Sequence, residues 1–160
     1  MSKKNKQSTG VYAFNKRARH DYSILDTIEA GLTLVGTEVK SIKSGGKIQF
    51  NDSYVKIINE EAYLINCFIT KYSHSAKYNH DETRTRKLLL HKKEIIKLTH
   101  RLVEKNLTLV PTKIYANKHL IKIEIGIAKG KKDFEKRDDL KKKDVNRDLS
   151  KQFKQGQFKI

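Results

Sequence analysis

In the segment 119–127, isoleucine stands at every second position from Ile121 to Ile127. Successive side chains of a β-strand point to opposite faces, so this spacing predicts a strand with one buried face and with Lys122 and Glu124 on the other. The segment 107–115 is also strand-like, and Asn117-Lys118 separates the two. We therefore predict an antiparallel hairpin here. The isoleucines that would face the core stand at every second position: Ile121, Ile123, Ile125 and Ile127.

A second hairpin is predicted in the middle of the chain. Residues 52–58 and 61–69 are predicted to be its strands, and Asn59-Glu60 supplies the turn between them. Val55 and Ile57 alternate on the first strand, and the residues that alternate on the second are Tyr63, Ile65, Cys67 and Ile69. Cys67 alternates inward with isoleucines in this pattern, which makes it a small core residue.

A first hairpin is predicted across Gly31, because residues 22–28 and 32–35 are both strand-like. Glu29 would then lie at the tip of this hairpin. Residues 71–82 are polar and predict a loop. Six short strands leave many unpaired edges, and an antiparallel barrel, closed or partly open, is the natural way to cover them.

Two segments have helical rather than strand spacing. Residues 36–43 predict a short helix that Thr37 caps and that Ser44-Gly45-Gly46 ends. Residues 88–105 predict a long helix that ends at Asn106, a residue type that tolerates left-handed backbone. The apolar positions of the long helix recur three or four residues apart, as in Leu88, Ile95, Leu98 and Leu102. The chain is thus predicted to be mainly β, of the α+β class.

The chain is strongly basic, since 35 Lys and Arg residues against 18 Asp and Glu give a formal net charge of +17. The excess is concentrated at the two ends. The first 20 residues have six cations and no acid, and residues 131–160 have 11 cations and six acids. Residues 1–13 have little to bury and are predicted to be a disordered basic N-terminus, which leaves residues 14–130 as the folded domain.

Residues 131–160 have too few apolar side chains to offset the entropy lost on ordering. Val145, Leu149 and Phe153 nevertheless lie four apart, as on one side of a helix. We predict a basic tail that is disordered when free and helical when bound. As a helix, residues 132–153 would span about 33 Å. The alternative is a purely solvated linker.

The basic excess favours binding to nucleic acid or to an anionic membrane surface. No apolar run approaches the ~20 residues that a membrane span needs, and the first residues do not resemble a signal peptide. The one cysteine excludes an intramolecular disulfide and a cysteine-rich metal site. We expect a cytoplasmic protein with no membrane partner, no small-molecule substrate, no cofactor and no metal.

Catalytic motifs are absent from the sequence. The six histidines show no HExxH pattern, and there is neither a GxSxG motif nor a Walker-type phosphate loop. His74, His80 and Asp81 lie in one polar stretch, but a chance cluster is the favoured interpretation of these three residues. An enzyme, such as a histidine-dependent nuclease, is therefore the weakest hypothesis, and we predict a protein that is not an enzyme.

The segment after residue 14 combines the donor types that bind RNA. Arginine offers bidentate contacts to phosphate and a plane that stacks on bases, and amide and imidazole groups add directed hydrogen bonds. His20 has an alternative role as a satisfied histidine at the end of a strand. The candidate RNA-binding residues of this segment are Asn15, Lys16, Arg17, Arg19 and His20.

A second cationic stretch runs directly into three leucines. Arg84 and Arg86 alternate with threonines, so an extended chain would place both arginines on one face, and Lys87 follows them. The three residues are RNA-binding candidates. The alternative, a solvated basic loop entering a core helix, is weighed about equally from these residues alone.

Glu29 and Leu89 are also candidates. A carboxylate repels phosphate, so a useful role for Glu29 on an RNA surface is to accept hydrogen bonds from a base edge. The commoner alternative is an ion pair with a nearby Lys or Arg. Three consecutive leucines cannot all face a core, so Leu89 is expected to face outward and to pack on an unstacked base. Its alternative is full burial.

Seven blocks carry a family resemblance in unbroken order, from about residue 14 to residue 140. They are Asn15-Lys-Arg-Ala-Arg-His-Asp-Tyr22, Glu29-Ala-Gly31, Gly36-Thr-Glu-Val-Lys-Ser41, Asp52-Ser-Tyr-Val55, Thr83-Arg-Thr-Arg-Lys-Leu-Leu-Leu90, Leu107-Thr-Leu-Val-Pro111 and Ile125-Gly-Ile-Ala-Lys-Gly-Lys-Lys132. The chain closely resembles the bacterial small protein B family, the SsrA-binding proteins that partner tmRNA in trans-translation. It departs from the family pattern at Glu135, where an aspartate is usual, at Glu82, where many relatives have proline, and in a longer loop at residues 44–47.

The resemblance implies an oligonucleotide-binding (OB)-type β-barrel that binds the tRNA-like domain of tmRNA and has no enzymatic activity of its own. It implies RNA-facing roles for Asn15, Glu29 and Leu89, with His20 and nearby cations such as Lys129 around them. It also implies that the tail becomes helical in the empty mRNA channel of a stalled ribosome, against small-subunit rRNA near the decoding centre. The tail residues concerned are Gly130, Lys131, Lys132, Glu135, Lys136 and Arg137. The remaining alternative is a general RNA-binding or ribosome-associated OB-fold protein without tmRNA specificity.

Overall fold

The computed structural model describes residues 10–75 and 77–154. The chain divides into two compact units, one up to Lys129 and one from Gly130 onward. The described helices are α1 (Lys16–Asp21), α2 (Gly36–Lys43), α3 (Lys92–Lys105) and α4 (Asp133–Lys154). The described strands are β1 (Val11–Phe14), β2 (Tyr22–Leu32), β3 (Ile48–Gln49), β4 (Tyr54–Ile58), β5 (Glu61–Ile65), β6 (Phe68–Ile69), β7 (Arg86–Leu89), β8 (Thr108–Asn117) and β9 (Leu120–Gly130).

Six strands close into a ring in the order β8-β4-β5-β7-β2-β9, with β9 paired back to β8. A closed ring leaves none of these strands with a free edge along its paired length. β1 pairs with residues 113–115 of β8. β3 and β6 form a separate two-stranded sheet. The predicted mainly β barrel of the α+β class and OB type is therefore confirmed.

The core of the barrel comes from the alternating strands. The predicted inward isoleucines of β9 are all buried, and they pack with buried leucines and alanines of the other strands. The pairing of β8 with β9 confirms the last hairpin, although its turn lies at Lys118-His119 rather than at Asn117-Lys118. Lys118 has the left-handed backbone (φ 56°) that this tight turn requires.

The predicted hairpin across Gly31 is wrong. β2 runs without interruption from Tyr22 to Leu32, so Glu29 lies within a strand and not at a turn. Gly31 pairs with Leu89 of β7, and a Cβ added at Gly31 would lie 3.1 Å from the Leu89 Cβ. The glycine therefore serves a close approach between two strands rather than a change of chain direction.

The predicted helix over residues 88–105 begins too early. Leu88 and Leu89 belong to β7, and α3 begins only at Lys92. Glu94 accepts a hydrogen bond at 2.8 Å from the backbone N–H of His91, which fixes the first turn. The predicted end is confirmed, because Asn106 adopts the left-handed conformation (φ 48°, ψ 51°).

The middle hairpin is confirmed, but its inward residues differ from the prediction. Asn59 and Glu60 both have positive φ (49° and 60°), as a two-residue turn requires. The buried residues of the second strand are Ala62 and Leu64, whereas Cys67 is buried beyond the strand's end. Asn66, with a φ of 58°, shifts the alternation by one residue between the two parts, as a bulge does.

The N-terminal boundary also changes. Residues 11–13, expected within the disordered N-terminus, belong to β1, in which Val11 pairs with Tyr115 and Phe14 pairs with Lys113 of β8. Residues 1–9 lie outside the described residues. Most of the RNA-binding candidates after residue 14 lie in the short helix α1.

The short helix α2 is confirmed over its predicted length, and its key residue is Glu38 rather than Thr37. Glu38 accepts a hydrogen bond at 2.9 Å from the backbone N–H of Val35, which precedes the helix. In the second unit, Glu135 does the same for α4, accepting the backbone N–H of Lys132 at 2.8 Å. In each of these two helices, the glutamate at the third position therefore caps the first turn.

Most of the predicted tail forms the helix α4 (Asp133–Lys154) in the structure. Its apolar side chains are exposed in the structure, at 41–69%: Phe134, Leu140, Val145, Leu149 and Phe153. That the tail is disordered when free stays a prediction, and residues 155–160 lie outside the described residues. No helix in the described part of the chain is long and apolar enough to span a membrane.

Glu38 is fully buried, and two arginines neutralise it. Arg86 Nε donates to Glu38 Oε1 at 2.8 Å, and Arg84 Nη2 donates to Glu38 Oε2 at 2.7 Å. Arg86, also fully buried, donates further to the carbonyl oxygens of Cys67 (2.6 Å) and Arg84 (2.8 Å). Burial acts to raise the pKa of Glu38, but the hydrogen bonds from Arg84 and Val35 and the two positive charges together lower it.

We predict that Glu38→Gln destabilises the fold by ~3–5 kcal/mol, because it leaves the Arg86 charge buried without a counter-charge. Urea unfolding followed by circular dichroism measures the loss. Arg101→Ala is the matched control: it breaks the Arg101–Asp26 pair (2.9 Å), whose partners are 41% and 52% exposed. It should change stability only slightly. Equal losses for the two variants would contradict a structural role for the buried cluster.

Candidate nucleic-acid interface

Glu29 and Leu89 lie on the same outer face of the barrel. Ala30 and Leu32 of β2 point into the core, so Glu29 and Gly31 point outward. Leu89 is 58% exposed and stands opposite Gly31, whereas Leu88 is buried. The expectation that Leu89 faces outward is therefore confirmed, and full burial is wrong. Glu29 lies two residues before Gly31, the residue that pairs with Leu89.

Two side chains hold the Glu29 carboxylate, one from the adjacent strand β9 and one from β8 beyond it. Tyr115 of β8 donates its hydroxyl proton to one oxygen, and Lys122 of β9 donates to the other. The hydrogen bonds from Lys122 and then from Tyr115 lower the pKa of Glu29, although burial opposes them. Burial and the bond to Glu29 raise the pKa of the Tyr115 hydroxyl. The ion pair that the sequence left as an alternative thus exists, yet the Glu29 side chain stays 43% exposed.

Leu89 also lines a groove of about 600 Å³ on the surface. The groove carries acidic groups from the β4–β5 turn, Glu60 and Glu61, and cations from β7 and α3, Lys87 and Lys92. It therefore offers both hydrogen-bond acceptors and positive charge next to an exposed apolar side chain.

Asn15 is wrongly predicted as an RNA contact. Its side chain caps α1, because Oδ1 accepts the backbone N–H of Ala18 at 3.1 Å. Its Nδ2 donates to the carbonyl oxygen of Pro111 at 2.8 Å, and the residue is only 9% exposed. Both ends of the amide are used inside the protein, so Asn15 joins α1 to the barrel rather than facing a ligand.

The cations of α1 lie on the surface. Lys16 is exposed, Arg17 Nε lies 3.5 Å from a carboxylate oxygen of Asp21, and the Arg19 guanidinium lies 5.0 Å from the centre of the Phe14 ring. His20 ends the helix rather than a strand. Its Nδ1 is 2.8 Å from Asp21 Oδ1, and its side chain remains 40% exposed.

The cationic stretch before the leucines divides into inward and outward residues. Arg84 and Arg86 do share one face, as predicted, but it is the face toward Glu38. Arg86 has no exposed surface, so the prediction that it binds RNA is wrong. Arg84 is about one-third exposed and already binds Glu38. Lys87 is outward-facing on β7 and pairs with Glu61 at 2.5 Å.

The remaining predicted cations lie at the end of β9 and in the second unit. Lys129 is exposed, Lys131 pairs with Asp139 at 2.6 Å, and Lys136 lies 3.8 Å from Asp133. The other predicted tail residues here, Gly130, Lys132, Glu135 and Arg137, are exposed. Within residues 10–75 and 77–154, no group of three or more His, Cys, Asp or Glu side chains is arranged to hold a metal ion.

Comparison with known proteins identifies the family. The family model described as SmpB protein matches residues 12–155. The chain belongs to the SmpB family. Among its curated relatives, the SsrA-binding protein of Sulfurihydrogenibium sp. (strain YO3AOP1) is 50% identical over 96% of this chain and 99% of the relative. The SsrA-binding protein of Enterococcus faecalis (strain ATCC 700802 / V583) is 51% identical over 90% and 93%.

A solved structure is similar to this SmpB-family chain in both sequence and fold. It is described as "tmRNA-SmpB: a journey to the center of the bacterial ribosome" and is 48% identical, with a TM-score of 0.63. The match covers 76% of this chain and 85% of the solved one. The barrel derived above is therefore the SmpB fold, which confirms the resemblance read from the seven sequence blocks.

Sequence reasoning missed two residues of this SmpB surface, Tyr115 and Lys122. The alternation of β9 does place Lys122 on the outer face, which was the available signal. Its proximity to Glu29 depends on β2 pairing with β9, a contact between segments about 90 residues apart that no local pattern reveals.

We predict that Lys122→Met raises the pKa of Glu29 toward its ordinary value, because Lys122 is the largest cause of the lowering. Tyr115→Phe should raise it by a smaller amount. A carbon-detected NMR titration of the glutamate carboxyl groups measures both changes. Lys87→Met is the control, since Lys87 pairs with Glu61 (2.5 Å) rather than with Glu29. An unchanged Glu29 pKa in Lys122→Met would contradict the described contact.

Proposed function

We propose that this chain is a tmRNA-binding protein of trans-translation, which binds the tRNA-like domain of tmRNA and brings it to stalled ribosomes. The observation that carries the proposal is about 50% identity to SsrA-binding proteins over nearly the full length of both chains. A basic OB-type barrel with an outward-facing Glu29–Leu89 pair supports it from the structure. The proposal includes a cytoplasmic location, because that is where a protein that acts on ribosomes would work.

In this proposal the outer face around Glu29 reads the RNA. A carboxylate can accept about four hydrogen bonds, and Tyr115 and Lys122 use only two of these positions in the Glu29 side chain. Glu29 can therefore still accept from the amino or imino edge of a base. Leu89, exposed on the next strand, packs against an unstacked base of the folded RNA loop.

Surface cations around this face supply phosphate contacts. Such contacts fix the position of the protein, whereas base-edge contacts supply specificity. We exclude Asn15 and Arg86 because both are buried, and we add Lys122, which borders Glu29. His20, half exposed at the end of α1, is placed to stack on a base of the decoding site. The proposed cations are Lys16, Arg17, Arg19, Lys87, Lys122 and Lys129.

The second unit is proposed to act in place of mRNA. Its helix α4 has 22 residues and so measures ~33 Å. Lysines and arginines along it, together with Lys131 and Lys132 before it, would displace counterions from the rRNA that lines the empty mRNA channel. This helix would then occupy the channel up to the decoding centre. We infer no catalytic step of the chain's own, because its role is to position RNA.

We predict that Glu29→Arg weakens binding to the tRNA-like domain of tmRNA about tenfold, although it makes the protein more positive. The arginine cannot accept the base-edge hydrogen bond, a contact worth ~1–3 kcal/mol. Fluorescence anisotropy with labelled RNA measures the affinity. Glu104→Arg on the exposed surface of α3 is the control with the same change of charge. Tighter binding by both variants would contradict base-edge recognition by Glu29.

We predict that deleting residues 131–160 leaves affinity for the tRNA-like domain within about threefold of the full chain, because the barrel surface remains. The deletion should abolish tagging of a nascent chain on ribosomes stalled at the end of a truncated mRNA. A reconstituted translation reaction containing tmRNA measures the tag. A truncated chain that still supports tagging would contradict the proposed role of the second unit.

A further inference from the structure

The loop between β6 and β7 is rich in aromatic residues and cations, and it lies outside the surface proposed above. No acidic residue occurs from Ala62 to His80. Within this stretch Lys71 and Lys77 alternate with rings that include Tyr72 and Tyr78. Such a composition is typical of surfaces on which the bases of a single strand stack while cations bind its phosphates.

The loop is held in shape by its own polar side chains. Asn79 binds the backbone of Tyr72 twice, accepting from its N–H at 3.2 Å and donating to its carbonyl oxygen at 2.9 Å. Ser75 donates its hydroxyl proton to the carbonyl oxygen of Tyr78 at 2.6 Å. The buried His80 fastens the loop to the barrel, with Nε2 3.0 Å from the Ile69 carbonyl oxygen. A ligand would therefore meet an ordered surface, with little entropy left to lose.

The same loop keeps its aromatic rings at the surface. Tyr78 is 79% exposed, although its backbone position is fixed by Ser75. The rings of Tyr72 and His74 are in contact, with centroids 5.4 Å apart, and the Lys40 amine lies 5.9 Å from the centre of the Tyr72 ring. Aromatic faces and a cation are thus already combined in the geometry that attracts a nucleobase and its phosphate.

A groove of about 450 Å³ separates Tyr78 from the first turns of α2. Lys40 contributes to its wall from the helix, and Arg84 contributes from the segment before β7. The volume lies in the range of sites for small ligands and is sufficient for one nucleotide. With positive charge at the wall and an exposed ring at the rim, the groove is suited to a nucleotide whose base stacks on Tyr78.

We propose that the loop residues 71–75 and 77–80 and the adjoining turn of α2 form a second RNA-binding surface, which binds an unpaired segment by stacking on Tyr78 and by phosphate contact with Lys40. RNA is favoured over a protein partner because the exposed apolar groups are rings with polar tips and the charged residues that line the groove, Lys40 and Arg84, are cations. A protein-binding patch would instead have an apolar centre depleted of charge. This surface is separate from the Glu29–Leu89 face and does not depend on it.

The test follows the tyrosine ring signals of the full chain by NMR during titration with an unstructured octanucleotide, seven uridines with one central adenosine. Stacking shifts the Tyr78 ring signals upfield in a saturable manner, whereas the Tyr54 ring, 41% exposed on β4, is the internal control and does not shift. Tyr78→Phe keeps the site because stacking needs the ring and not the hydroxyl. Tyr78→Ala removes the saturable binding measured at the neighbouring Tyr72 signal.

Lys40→Ala weakens the affinity measured at Tyr78 several-fold. It also reduces the slope of log affinity against log salt by ~0.7, the value for one phosphate contact on a single strand. A Tyr78 signal that stays fixed while other signals shift, or a Lys40→Ala variant with an unchanged slope, overturns the proposal. The titration uses an unstructured RNA and follows a ring outside the Glu29–Leu89 face, so failure of this site and failure of tmRNA recognition are separable.

Discussion

The buried contact between Glu38 and two arginines determines where the other elements can lie. Glu38 stands on α2, directly after β2, and Arg86 begins β7, 48 residues later. The contact therefore fixes α2 against β7, and Arg86 also binds the carbonyl oxygen of Cys67 at the end of the middle hairpin. A buried charge is tolerated only when it is paired and hydrogen-bonded, so few other arrangements of these three segments are open to the chain.

The candidate RNA surface follows from this arrangement. β2 and β7 are neighbours, and their inward residues Ala30 and Leu88 build the core. The residues next to them in sequence must then face outward, which places Glu29 and Leu89 on one face. Gly31 allows the two strands to approach at that point without a side chain between them. The candidate RNA surface is thus the solvent side of the strand pair β2–β7, and the ion cluster joins β7 to the helix that follows β2.

Local patterns predicted much of the fold. Alternation gave the β8–β9 hairpin and its four inward isoleucines, and the turn at Asn59-Glu60 gave the middle hairpin. The failures come from residues with more than one structural use. Gly31 is compatible with a turn or with close strand approach, and Leu88 fits the spacing of a helix or of a strand. Only the pairing of distant segments decides between these uses.

The candidate site was predicted less well for the same reason. Leu89 was predicted to face outward because three consecutive leucines cannot all be buried, which is a local argument. The burial of Arg86 depends on Glu38 and the role of Asn15 depends on Pro111, 96 residues away. A polar or charged side chain can be recognised from the sequence as able to bind RNA. Whether a distant acid or carbonyl group of the same chain already binds that side chain cannot be recognised from the neighbouring residues.

The central claim is that a folded basic barrel selects one structured RNA and that a separate helical segment acts at the ribosome. The most direct measurement is sequencing of the RNA that is recovered with the full chain after ultraviolet crosslinking in its own cells. The account predicts that tmRNA is strongly enriched over tRNA, with crosslinks in its tRNA-like domain. Recovery of tRNA and tmRNA in proportion to their abundance would contradict it.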